Sequence, residues 1–139
     1  MRIIDKIVFY WILIGVCFIL HNLLHLSGIY YGKEMQLAAT DGVMPLGIHI
    51  FTILVSASPF VFAVLFLNLC SKILLWVSLS WSILFLVLNL AHFIATVAFE
   101  KPFDLSQSVL LLFILIVNGM LTYVLWKYLK QIKKDSCEN

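Results

Sequence analysis

The sequence predicts an all-α integral membrane protein, an up-down-up-down four-helix bundle with both termini in the cytoplasm. Three observations favour this fold class: 63% of the residues are hydrophobic, only 12% are charged, and the mean hydropathy is +1.08. Soluble chains typically carry about 25% charged residues. A soluble domain of 139 residues could not bury so much apolar surface, because its surface is too large for its volume. The composition therefore requires a lipid bilayer as solvent.

Four apolar stretches are each long enough to cross the hydrocarbon core, which takes roughly 20 helical residues. The predicted helices cover residues 7–29, 45–69, 72–98 and 104–130. They belong to one predicted domain, 1–139, which ends in a basic tail over 127–139. The first stretch is predicted to be a retained helix, because no A-x-A-like cleavage site follows it.

Local signals mark the predicted helices. Pro45 suits the first turn of the second helix, and Asp104 followed by Gln107 is typical of a capping box at the start of the fourth. Pro59 falls in the middle of the second helix. There we expect a kink, with the hydroxyls of Ser56 and Ser58 available to satisfy the backbone groups that the proline frees.

The basic residues predict the orientation, because Lys and Arg favour the cytoplasmic side of a membrane. Only Lys33 and Lys101 of the nine basic residues fall on the opposite side. The other seven are Arg2, Lys6, Lys72, Lys127, Lys130, Lys133 and Lys134. We therefore expect the N- and C-termini in the cytoplasm and the protein in the cytoplasmic (inner) membrane.

Several classes of function are disfavoured by what the sequence lacks. The net charge is only +2, and there is neither a Gly-rich phosphate loop nor a basic patch interleaved with aromatics, so we expect no nucleotide and no nucleic acid. Cys17, Cys70 and Cys137 form no CxxC pair, which argues against a thiol–disulfide enzyme or a zinc ribbon. No hydrolytic signature such as HExxH and no transferase signature occurs.

The four histidines are the candidate site residues, since the acidic residues all lie outside the predicted hydrocarbon core. His21 and His25 are four residues apart and share one face of the first helix. His49 lies about one turn into the second helix, and His92 about two turns from the outer end of the third. At 1.5 Å per residue, His21, His49 and His92 should lie within about one helical turn of each other in depth. The sequence therefore predicts a layer of imidazoles near the extracytoplasmic face.

Polar residues at helical spacing predict which helix faces turn inward, because lipid cannot satisfy polar groups. These stripes are Ser78, Ser82, Asn89, His92 and Thr96 on the third helix, His49, Thr52 and Ser56 on the second, and Ser108, Asn118 and Thr122 on the fourth. The histidines lie on or beside such stripes, so we expect them to face one another.

An all-nitrogen site predicts haem b or a transition-metal ion, copper or zinc, as cofactor. Di-iron carboxylate chemistry needs core Glu ligands, which this chain lacks. A haem would use His92 with either His21 or His49, whereas an ion would use three or four of His21, His25, His49 and His92. The third alternative is no cofactor, with the histidines acting as interhelical hydrogen-bonding groups.

The expected function is electron transfer or metal handling, and any enzymatic role would be that of a redox subunit. In outline the chain is similar to small four-helix membrane cytochromes, which often hold two haems by histidines in both leaflets. Here the histidines occupy one layer, which disfavours a transmembrane haem pair. The alternatives are a cofactor-free accessory or assembly subunit and, less favoured because the core lacks Asp and Glu, a small transporter. A protein partner or a homo-oligomer is compatible with either.

Overall fold

The computed structural model describes residues 2–32, 44–69, 71–99 and 104–135. The connection over 33–43, together with Cys70 and Cys137, lies outside the described residues, as do Lys33 and Lys101.

The described residues form four long α-helices. They are α1 (Ile3–Ser27), α2 (Leu46–Asn68), α3 (Lys72–Phe99) and α4 (Leu105–Asp135), with a short 3-10 helix, Gly28–Tyr31, directly after α1. All four α-helices are long and apolar enough to cross a membrane, which confirms the predicted all-helical, membrane-spanning class. Helix α1 begins four residues before its predicted start, and α4 runs five residues past its predicted end, because polar residues at the helix ends continue the helix beyond the apolar stretch.

The bundle centres on Trp11, which is completely buried. Helix α1 packs against α2 and α4, and α3 packs against α4. The Trp11 ring stacks on Phe62 of α2, with centroids 4.8 Å apart, and meets the Phe85 ring of α3 edge-on at 6.2 Å. Its indole N–H donates to Ser78 Oγ at 3.1 Å. One side chain thus joins α1 to two other helices by ring packing and by a satisfied polar group.

A buried polar cluster joins α3 to α4. Asn118 is fully buried; its amide nitrogen donates to Ser82 Oγ at 2.9 Å, and its amide oxygen accepts from the Leu86 backbone N–H at 2.8 Å. The hydroxyls of Ser82 and Thr122 lie 2.7 Å apart. Such interhelical hydrogen bonds contribute about 0.6 kcal/mol each in membranes. The inward orientation predicted for these residues of the third and fourth helices is confirmed.

The polar stripe of α2 lies differently. His49 and Thr52 are exposed, and Ser56 is half-buried. Helix α2 packs into the core through its second half, where Phe62 and Phe66 are buried. The inward orientation predicted for His49 is therefore wrong, because the first half of α2 contributes little to the core. Thr52 and Ser56, by contrast, line a cavity between α2, α1 and α3.

Helix α2 continues without interruption through Pro59. A proline removes the N–H that would bond the carbonyl four residues earlier, here that of Val55. The hydroxyl of Ser58 lies 3.5 Å from this carbonyl oxygen and donates to it. Ser58 Oγ in turn accepts a hydrogen bond from Trp81 Nε1 at 2.9 Å. The expected role of Ser58 is confirmed.

The outer surface of the bundle is apolar. Ile53, Leu67 and Ile73 expose 62%, 68% and 77% of their surface. In water this exposure would be unfavourable by about 25 cal/mol per Å² of apolar area, whereas lipid tails solvate it. The exposed surface therefore indicates an integral membrane protein.

Candidate metal-binding site

Three of the four histidines meet at one end of the bundle. His21 and His25 lie in the last two turns of α1. They follow Ile14 and Phe18 at spacings of three and four, so they lie on the same face of α1, which is turned toward the core. His92 comes from the last third of α3. One ring nitrogen from each histidine can be chosen so that all three lie within 4.8 Å of one another. Two helices therefore bring together three of the groups that the sequence singled out.

His21 and His92 are in direct contact. Their Nε2 atoms lie 3.2 Å apart, and their rings are nearly perpendicular at 88°. Two neutral imidazoles at this distance share one proton, with one ring donating and the other accepting. The contact therefore uses the same two nitrogen atoms that an ion between the helices would need.

The separation of these two nitrogens matches that of two ligands on one ion. Nitrogens bound to tetrahedral zinc at about 2.0–2.1 Å lie about 3.3 Å apart, close to the 3.2 Å between His21 and His92. The ring of His25 lies 4.6 Å from that of His21 at 86°. The ligand atoms of the three histidines all lie within 4.8 Å of one another, so they would have to approach one another, toward about 3.3 Å, to complete a tetrahedral set.

His49 is not part of this group. Its side chain is exposed in the first turn of α2. The structure therefore brings together His21, His25 and His92 but leaves His49 apart from them.

Gln107 of α4 is a site residue that the sequence did not reveal. The predicted capping box forms only in part: Asp104 Oδ1 accepts from the Gln107 backbone N–H at 3.0 Å. The Gln107 side chain does not return to Asp104, and its amide nitrogen lies 3.0 Å from His25 Nδ1. The capping role predicted for that side chain is wrong, because contact with a histidine on α1 replaces it. Its position in the first turn of a membrane helix, at the same depth as His25, was the available signal.

The Gln107 side chain is almost completely buried, and its Oε1 has no hydrogen-bond partner among the described residues. A half-turn of the amide exchanges its oxygen and nitrogen, so that Oε1 would accept from a protonated His25 Nδ1. Metal-ligating histidines typically donate their second ring N–H to such an oxygen. Gln107 can therefore hold His25 with Nε2 as its ligand atom.

A metal cation at this site would need a negatively charged group nearby to balance its positive charge. Three neutral imidazoles leave the charge of a bound ion unchanged, and a charge in an apolar environment is costly unless it is balanced. The Asp104 carboxylate lies one turn from Gln107 at the same end of the bundle. A bound hydroxide or this carboxylate could supply the negative charge.

Comparisons with protein families, with curated proteins and with solved structures find no match for this chain. Its function is therefore argued from the histidine site, since function depends on sites more than on folds.

Proposed function

We propose that this protein binds a single copper or zinc ion through His21, His25 and His92 and takes part in metal handling or electron transfer. The observation that carries the proposal is the 3.2 Å separation of His21 Nε2 and His92 Nε2. Two residues 71 positions apart in the sequence place their ligand atoms at the spacing of a coordinated pair. The third imidazole and its Gln107 contact supply a further ligand with a partner that orients it.

The same distance favours an ion over haem b. Axial ligands lie on opposite sides of a haem iron, so that their nitrogens are about 4 Å apart with the porphyrin between them. At 3.2 Å the His21 and His92 rings are in direct contact, and a macrocycle would have to separate α1 from α3.

One observation supports the cofactor-free alternative. The contact between His21 and His92 is also a satisfactory hydrogen bond between two neutral rings. As such it would only join α1 to α3, as expected for an accessory or assembly subunit. The two functions differ in whether the protein holds an ion.

We further propose the up-down-up-down arrangement in an inner membrane, with both termini in the cytoplasm and the ion near the extracytoplasmic face. The distribution of Lys and Arg supports this orientation. Reporter fusions test it: a reporter that is active only outside the cytoplasm should be silent when fused after Asn139. Activity there would reverse the orientation.

The test of ion binding uses protein purified in detergent without a polyhistidine tag. The protein is treated with a chelator, dialysed, and titrated with Zn²⁺ and, under reducing conditions, with Cu⁺. We expect saturation at one ion per chain with one of the two metals, together with a colourless preparation that has no Soret band. A Soret band with sharp reduced bands would favour haem b, and failure to bind either ion would favour the cofactor-free subunit.

A further inference from the structure

The candidate metal-binding site offers neutral ligands. The ligand atoms of His21, His25 and His92 lie within 4.8 Å of one another, and within the described residues neither a carboxylate nor a thiolate joins this group. Cys17, one turn before His21, is buried in an apolar cluster instead. The three imidazoles therefore leave the charge of a bound ion unchanged, and the rest of the structure decides which charge is tolerated.

The layer of side chains next to the histidines, toward the middle of the bundle, is apolar. Phe18 lies one turn before His21 on α1, and Phe93 directly follows His92 on α3. Both phenyl rings pack against the buried cluster that contains Leu111 of α4. The Born cost of placing an ion among such groups grows with the square of its charge, so a divalent ion costs about four times as much as a monovalent one. The apolar layer therefore favours a monovalent ion.

A single carboxylate is available to balance the charge. Among the residues that the structure describes, Asp104 is the only acidic one at this end of the bundle. Its Oδ1 accepts from the Gln107 backbone N–H, which fixes the carboxylate at the start of α4. One negative charge neutralises a monovalent ion but balances only half the charge of a divalent one. Zinc or copper(II) would therefore need a second anion.

The number of ligands favours the same choice. Zinc in proteins is almost always four-coordinate, so three imidazoles would leave one position to be filled from solvent. Copper(I) is a d¹⁰ ion that is stable with three ligands in a plane, and imidazole is a suitable ligand for copper. At bond lengths of about 2.0 Å, three ligands in a plane lie about 3.5 Å apart and four in a tetrahedron about 3.3 Å apart. The 3.2 Å between His21 Nε2 and His92 Nε2 is close to both, so charge and ligand number decide between the ions.

From the charge and the number of ligands we propose that the ion is copper(I), bound in preference to both zinc and copper(II). This inference rests on the proposed function, because it concerns the identity of the ion at the same three histidines. It also selects between the two roles of the site. Electron transfer requires copper to stay bound in both valences, whereas a site that holds copper(I) and releases copper(II) serves metal handling. The role is then to receive and deliver copper in its reduced state.

Titrations of chelator-treated protein in detergent compare the three ions. Cu⁺ is supplied without oxygen from a copper(I) chelator of known affinity, and Zn²⁺ is added as a competitor. We expect one Cu⁺ per chain, with a Kd more than about 100-fold below that for Zn²⁺. Copper(II) is the more severe competitor, because nitrogen ligands ordinarily bind it more tightly than zinc. A 100-fold preference for Cu⁺ over Cu²⁺ would raise the reduction potential of bound copper by about 120 mV above that of free copper.

Two glutamate variants test the role of charge. Gln107→Glu adds a negative charge beside His25 and should strengthen Zn²⁺ binding more than Cu⁺ binding, because a charge attracts a divalent ion about twice as strongly as a monovalent one. Gln131→Glu, the matched control, adds the same charge at an exposed position at the other end of α4. It should leave the ratio of the two Kd values unchanged. Asp104→Asn retains a residue type that caps helices and should widen the ratio.

Zn²⁺ binding as tight as Cu⁺ binding would overturn this inference and leave the proposed ion site in place. A reduction potential of bound copper at or below that of free copper would do the same. A ratio that is unchanged in both Gln107→Glu and Asp104→Asn would contradict the charge argument. Failure of the wild-type protein to bind any of the three ions would instead remove the proposed function itself.

Discussion

His21 Nε2 on α1 and His92 Nε2 on α3 lie 3.2 Å apart, at the end of the bundle where Gln107 of α4 contacts His25. Three helices therefore meet through nitrogen atoms at one level of a protein whose outer surface is apolar. A hydrogen bond and a shared ion would use the same pair of nitrogens, so only one of them can be present at a time. Added metal would replace the hydrogen bond if the site binds an ion, and would leave it unchanged if the site does not.

Replacing either close histidine should destroy the ion site. His21→Ala and His92→Ala each remove a ligand, and we expect the Kd for the bound ion to rise by more than about 100-fold. His49→Ala is the matched histidine variant, since His49 is exposed and outside the group of three; its Kd should not change. Isothermal titration measures all three, and equal losses in the three variants would contradict the assignment.

Gln107 should act as a positioning residue for His25. Gln107→Leu keeps the side-chain volume but removes the oxygen that can accept from His25 Nδ1, and we expect the ion affinity to fall about 10- to 100-fold. Gln107→Glu should retain binding, because a carboxylate accepts the same hydrogen bond. Gln131→Leu, an exposed change on the same helix, provides the control. If Gln107→Leu kept the wild-type ion affinity and Gln107→Glu lost it, a polar role for Gln107 would be refuted.

Ion binding should weaken as the pH falls. Protonated imidazole has no lone pair for a metal at that nitrogen, so protons compete directly with the ion. Since more than one histidine must be deprotonated, the Kd at acidic pH should rise by more than about tenfold per pH unit. In His92→Ala the dependence should become shallower. A Kd that stays constant down to the pH at which the protein unfolds would contradict imidazole ligands.

Gly15 should be required for the packing of α1 against α2. A Cβ at this position would lie 2.6 Å from Phe60 Cζ, whereas a Cβ at Gly119 would meet nothing within 4 Å. Both Gly→Ala changes gain about 1 kcal/mol of helix propensity, but only Gly15→Ala adds overpacking, which costs about 1–3 kcal/mol. Thermal unfolding in detergent should therefore show Gly15→Ala to be less stable than Gly119→Ala. Equal stability of the two variants would contradict this and show that Phe60 moves aside without cost.

The four apolar helices could be predicted because the length and composition of each stretch are local properties. The inward faces of α3 and α4 were also predictable, since Ser82, Asn118 and Thr122 recur at helical spacing and lipid cannot satisfy them. The placement of His49 was not predictable. It depends on the packing of α2, whose first half lies away from the core. This is a property of the tertiary structure, and no local sequence pattern predicts it.

The candidate site was predictable in its residue types but not in its full membership. Equal depth correctly grouped His21 with His92, because rise per residue fixes height along each helix. Gln107 was assigned to a capping box, since the Asp104 spacing satisfies that pattern by itself. Only the packing of α4 against α1 turns its side chain toward His25.

X-ray absorption at the metal edge of ion-loaded protein tests the proposed site most directly. We expect three imidazole nitrogens at about 2.0–2.1 Å from the ion, and one nitrogen fewer in His92→Ala. A first shell of oxygen ligands, or an unchanged spectrum in His92→Ala, would contradict coordination by His21, His25 and His92.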